Sequence, residues 1–149
     1  MFKNFRKIQF FLILCLMFVN FSCQENTNRL PNVYVNIVLD LNKPEFSELN
    51  TPGNFIYITG GIAGIIVYHD LDGQYKAFDR ACPYDFYSCG GRVEVKDIGT
   101  GVVVDSSCCG SEFSITNEGA VLKGPARTPL KRYRVQYNPE ANTLYITSY

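Results

Sequence analysis

Two stretches, Ala77-Phe78-Asp79-Arg80-Ala81-Cys82-Pro83-Tyr84 and Ser106-Ser107-Cys108-Cys109-Gly110-Ser111-Glu112-Phe113, decide how this 149-residue chain is read. In each, a short apolar or aromatic strand meets a cysteine-bearing loop. Four of the six cysteines, Cys82, Cys89, Cys108 and Cys109, gather in these two loop regions, so any site chemistry is to be sought there.

On either side of these loops the pattern is one of short apolar or alternating runs punctuated by Gly, Pro and Asn, without a sustained 3.6-residue repeat. Strands are expected at Val33–Leu39, Asn54–Thr59, Ile65–His69, Tyr75–Asp79, Arg92–Lys96, Gly101–Asp105, Glu112–Ser114, Arg132–Tyr137 and Thr143–Thr147. Turn residues at Leu71-Asp72-Gly73, Thr116-Asn117-Glu118-Gly119 and Asn138-Pro139-Glu140 separate them, and Gly60-Gly61 reads as one more hairpin turn. Ten Tyr and eleven Phe suit stacked sheets or a small barrel, so the fold class is all-β. At this length, with 46% hydrophobic residues, one core is expected, in a domain spanning residues 32–149.

The first 22 residues read as a signal peptide. Lys3, Arg6 and Lys7 precede a ten-residue apolar stretch, Phe10 to Val19, which is too short to span a bilayer. Ser22-Cys23 resembles a lipoprotein processing box, so Cys23 is the expected lipidation site, and residues 23–31 become a polar tether from membrane to domain. Removing the leader leaves 11 of the 14 basic residues against 14 acidic ones, a net charge near −3. That balance offers no footprint for nucleic acid. A cell-envelope lipoprotein, anchored to the membrane and facing the periplasm or cell surface, is the expected setting.

The loops and their flanks together resemble the Rieske iron–sulfur family. Ala77 to Pro83 is similar to the approach to that family's first ligand loop, Cys-x-His, and Gly110-Ser111-Glu112-Phe113 to the segment just after its second, Cys-x-x-His. Gly119 to Ala126 and Pro129-Leu130 resemble its Pro loop, in which Gly124 and Pro125 would cover the cluster. The resemblance runs from about Asn54 to Tyr149 and implies stacked antiparallel sheets, two ligand-type loops and a Pro loop. It also implies a [2Fe–2S] cofactor and a role in electron transfer with a protein partner.

Position by position, however, the ligand set departs from the family's. Cys82 matches the first Cys, whereas Tyr84 stands at the first His, Ser106 at the second Cys and Cys109 at the second His. A Rieske cluster takes two thiolates on one iron and two imidazoles on the other. The chain has one histidine, His69, at the end of an expected strand, where a surface or hydrogen-bonded role is the simpler assignment. Tyr84 is read as filling the space of a ligand ring, since an unperturbed phenol titrates near ~10 and releases its proton reluctantly. The standard cluster cannot be built from this chain alone.

An even set of cysteines in an exported domain signals disulfides first. The resemblance implies Cys89 to Cys108, the extra pair of respiratory Rieske proteins, and Cys82 and Cys109 are then free to close across the vacated site as a second pair. Partly free thiols belong to the same expectation. The competing reading uses Cys82, Cys89, Cys108 and Cys109 as ligands of zinc or an all-Cys iron–sulfur cluster. It suffers because Cys108 and Cys109 are neighbours, which point to opposite sides of an extended segment. No second His, phosphate-binding Gly loop or paired-carboxylate motif is present, so the chain is not expected to be an enzyme in its own right. Asp79-Arg80 is read as a strand-edge ion pair, and Glu94, Lys96 and Asp97 as a solvated face.

Overall fold

The computed structural model describes residues 30–149 except residue 85, so the leader, Cys23 and most of the tether lie outside the described residues. Ten strands form: β1 Asn36–Asp40, β2 Phe55–Ile58, β3 Ile65–His69, β4 Tyr75–Asp79, β5 Glu94–Asp97, β6 Val102–Val104, β7 Glu112–Ser114, β8 Ala120–Lys123, β9 Arg132–Asn138 and β10 Thr143–Thr147. A six-stranded sheet runs in the order β1-β10-β9-β4-β3-β2 and a four-stranded sheet in the order β5-β6-β7-β8, with every strand pair antiparallel.

The all-β expectation holds, and β3, β4, β7 and β10 have the bounds expected from alternation. Three elements lie outside the expected set. In sequence, strand β8 shows only as the approach to the Pro loop, but it pairs along β7, Glu112 opposite Lys123 and Ser114 opposite Ala120. The 3-10 helix Pro44–Asn50 is too short to show a helical repeat and is held by its buried Leu49. The single-turn helix α1, Phe86–Cys89, lies within the first cysteine loop.

Strand β3 explains how the two sheets share a core. All five of its residues are buried. Ile65 and Val67 point into a cluster with Leu39, Leu49, Leu144 and Ile146, while Ile66 and Tyr68 point the other way, to Phe78, Val103, Phe113 and Ile115. A strand buried on both faces needs an unbroken apolar run, which is what Ile65-Ile66-Val67-Tyr68 supplies.

The register of the smaller sheet positions the site. Glu94 opposes Val104, Val104 opposes Glu112, and Glu112 opposes Lys123. The start of β5, the β6–β7 connection and the end of β8 therefore issue from the same end of that sheet. The two legs of the first loop are zipped at its root, where Val93 N–H donates to Arg80 O at 2.7 Å and Cys82 N–H to Gly91 O at 2.9 Å.

Asp79 corrects the sequence expectation most sharply. It is fully buried, not at a strand edge. Its Oδ2 accepts Ile62 N–H at 2.7 Å and Tyr133 O–H at 2.6 Å, and its Oδ1 accepts Ala63 N–H at 3.2 Å and Ala81 N–H at 2.8 Å. Four donors offset the cost of removing a carboxylate from water. The close approach requires a glycine at 61, where φ is +63° and a Cβ would meet the carboxylate and lie 2.6 Å from the Tyr133 hydroxyl. Arg80 is mostly buried, its guanidinium 4.0 Å from the Tyr57 ring centroid and 3.5 Å from Glu94 Oε1, with its Nε–H bonded to Val93 O. Burial and the adjacent carboxylate push the Tyr133 phenol well above its ordinary value, so it stays a donor.

Replacing Tyr133 with Phe removes one donor from a buried charge and is expected to cost about 1.5–3 kcal/mol. Urea unfolding measures this, and an unchanged midpoint would show that Asp79 does not depend on the phenol.

Candidate functional site

The second loop is a closed turn. Asp105 N–H donates to Ser111 O at 2.9 Å and Gly110 N–H returns to Asp105 O at 2.8 Å, with Gly110 in the left-handed region at φ +68°. Inside it, Asp105 is fully buried. Its Oδ1 accepts Ser107 O–H at 3.1 Å and Cys108 N–H at 3.2 Å, which fixes the backbone at the two neighbouring cysteines.

Within this turn the two neighbouring cysteines have different partners. Cys108 is bonded to Cys89, across the two loops. Cys109 faces inward, its Sγ 3.5 Å from Cys82 Sγ, 3.3 Å from Asp105 Oδ2 and 3.0 Å from Ser111 Oγ, while Ser111 N–H donates to it at 3.4 Å. Cys82 is fully buried and Cys109 partly exposed, and both are free thiols. Burial is the main force raising the Cys82 thiol pKa. The Tyr84 backbone N–H opposes that rise, and Cys109 and Asp105 add to it. The ligand atoms of Cys82, Asp105 and Cys109 all lie within 4.8 Å of one another.

The Pro loop joins this centre through Ser111. After Gly124 and Pro125, Ala126 N–H donates to Ser111 Oγ at 3.0 Å, and Ala126 is buried in the same cluster as Cys82. Tyr84 is 41% exposed, and its backbone N–H lies against Cys82. Ser106 is exposed as well. His69 Nδ1 lies 2.7 Å from the Leu49 carbonyl, and its ring stacks on Tyr75 at 4.1 Å. It sits at the opposite end of β3 from Ile65, the residue paired with Asp79, so it is roughly 13 Å along the strand from the loop that starts there.

Sequence reasoning misses Asp105 and Ser111 as site residues. Alternation places Asp105 only as the last residue of a strand. The available signal is an acid ending the apolar run Val102-Val103-Val104 three residues before Cys108, the spacing at which a side chain caps its own loop.

Among solved structures the chain is similar to the plasma-membrane Rieske protein PetC3 of the cyanobacterium Synechocystis PCC 6803, with a TM-score of 0.51 and 25% identity over 75% of this chain and 97% of that one. It is also similar to the ferredoxin of carbazole 1,9a-dioxygenase from Nocardioides aromaticivorans IC177, at a TM-score of 0.48 and 15% identity over 78% of this chain and 99% of that one. No protein-family model and no curated protein matches it. The domain is Rieske-like.

The residues at the loops do not fit that family's cluster. No imidazole is near, two of the four ligand positions are exposed non-cysteine side chains, and Cys82 and Cys109 already touch, with Asp105 closing the third side. The expected four-thiolate site does not form either, because Cys89 and Cys108 are spent on each other. The expected Cys82–Cys109 bond is absent, and the pair is a dithiol.

The Cys89–Cys108 bond closes a loop of sequence separation 19, worth about 3 kcal/mol on the chain-entropy argument. The double replacement Cys89→Ser with Cys108→Ser should lower stability by about that amount. Alkylation of the wild type, denatured without reductant, followed by peptide mapping should label Cys82 and Cys109 and leave Cys89 and Cys108 joined. Label on Cys89 would contradict the pairing.

Proposed function

We propose that this chain is an exported, lipid-anchored Rieske-like protein of the cell envelope that holds no [2Fe–2S] cluster and serves as a disulfide-stapled binding or structural domain for a protein partner. The observation that carries this reading is the donor set at the two loops: one family ligand, Cys82, in contact with a second thiol and a carboxylate where two imidazoles and a thiolate would be needed. The leader and Cys23 supply the address and the anchor. Among the described residues no helix is long and apolar enough to cross a membrane, and attachment is assigned to lipid on Cys23.

One observation favours a second reading. Two thiols and a carboxylate within 4.8 Å are of the right kind to hold zinc with one position open. Such an ion would make the domain a metalloprotein without making it an iron–sulfur carrier.

Full-length protein produced anaerobically and extracted from the membrane fraction is expected to be colourless, without labile sulfide or stoichiometric iron. Iron with sulfide would overturn the proposal, and one tightly held zinc per chain would favour the second reading. Changing Cys23 to Ala should move the protein out of the membrane fraction and abolish acyl labelling. Retention of label would place the anchor elsewhere.

A further inference from the structure

We propose that Cys82 and Cys109 form a two-electron dithiol/disulfide centre that reduces an exposed disulfide of an extracytoplasmic protein partner, with Cys109 attacking, Cys82 resolving and Asp105 taking the proton of the attacking thiol. This goes beyond a binding role but rests on the reading that no cluster is held, since a metal on either sulfur would remove the nucleophile.

Three observations carry it. The first is proximity: the sulfurs are 3.5 Å apart, in contact but unbonded, and a disulfide of about 2.05 Å needs only a small closing movement. The second is asymmetry, for Cys109 is partly exposed while Cys82 has no exposed surface, so a protein disulfide can reach only one of the pair. The third is a placed proton acceptor. Asp105 Oδ1 is occupied by Ser107 O–H and Cys108 N–H, which aims Oδ2 at Cys109 Sγ from 3.3 Å. Ser111 N–H also donates to Cys109 Sγ at 3.4 Å, which holds that sulfur in place between Asp105 and Cys82.

The exchange balances. Cys109 gives its proton to Asp105 and its sulfur attacks one sulfur of the partner's disulfide. That S–S bond breaks, and the departing partner sulfur takes the proton from Asp105. Cys82 then loses its proton to the freed carboxylate and attacks Cys109 Sγ. The partner's first sulfur leaves as thiolate and is protonated in turn. One disulfide has formed here, one has been reduced in the partner, and two electrons and two protons have moved. The Cys89–Cys108 bond takes no part and keeps the neighbour of Cys109 fixed throughout.

The test uses the full chain in buffers of reduced and oxidised glutathione, with thiol trapping and peptide mass mapping. Wild type is expected to convert between the Cys82–Cys109 dithiol and disulfide as a single two-electron couple, while Cys89–Cys108 stays joined. With Cys82→Ser the reaction should stall as a glutathione adduct on Cys109, and with Cys109→Ser no adduct should form on Cys82. Asp105→Asn should slow oxidation on the order of 100-fold, the size of effect a positioned base supplies. Because Asp105 also holds its own loop, the two cysteine variants decide the matter if that variant fails to fold. Thiols that remain trapped as thiols at every buffer ratio, or equal adduct formation on Cys82 and Cys109 in the two variants, would overturn the proposal. Iron and sulfide in the isolated chain would sink it together with the cluster-free reading, whereas a metal-free chain whose thiols do not cycle sinks this inference alone.

Discussion

A carboxylate buried without a counter-cation has to be satisfied by donors, and the arrangement of this domain depends on how Asp79 meets that requirement. Its four hydrogen bonds come from the β2–β3 turn, from β9 and from Ala81 at the head of the first loop. One side chain at the end of β4 thus ties three separate parts of the chain together. Cys82 is the next residue after Ala81, so its position is inherited from the same constraint.

The second loop repeats this logic on a smaller scale. Asp105 accepts the Ser107 hydroxyl and the Cys108 backbone N–H with one oxygen and meets Cys109 with the other. Ser111 then links Cys109 to the Pro loop through Ala126. Two buried acids therefore order the loops of a Rieske-like frame, one at the root of each loop, and bring Cys82, Asp105 and Cys109 together between them. Among the described residues the lone imidazole serves the other core, bonded to Leu49 and stacked on Tyr75.

Much of this is legible in the sequence where alternation and turn chemistry speak locally. Ile65–His69 and Thr143–Thr147 are strands with the bounds the pattern implies, the first a short unbroken apolar run and the second an alternating one. The roles of Asp79 and Asp105 are not legible. An acid in a strand looks the same in sequence whether it faces water or four donors, and the donors come from residues 62, 63 and 133 as well as from nearby Ala81. Strand β8 escapes for a related reason, since Ala120–Lys123 has partners but no alternation of its own.

The sequence by itself determined an all-β domain with a Rieske-like frame, and it determined that two imidazoles were lacking, because composition admits no argument from geometry. Only the tertiary structure decided which sulfurs hold each other. Four cysteines in two loops are compatible with several pairings, and the choice depends on side-chain direction and on distances of a few ångströms across loops 27 residues apart. The register of the four-stranded sheet brings those loops to one end. The two buried carboxylates set their backbones, and the result is one disulfide facing out and one dithiol facing in.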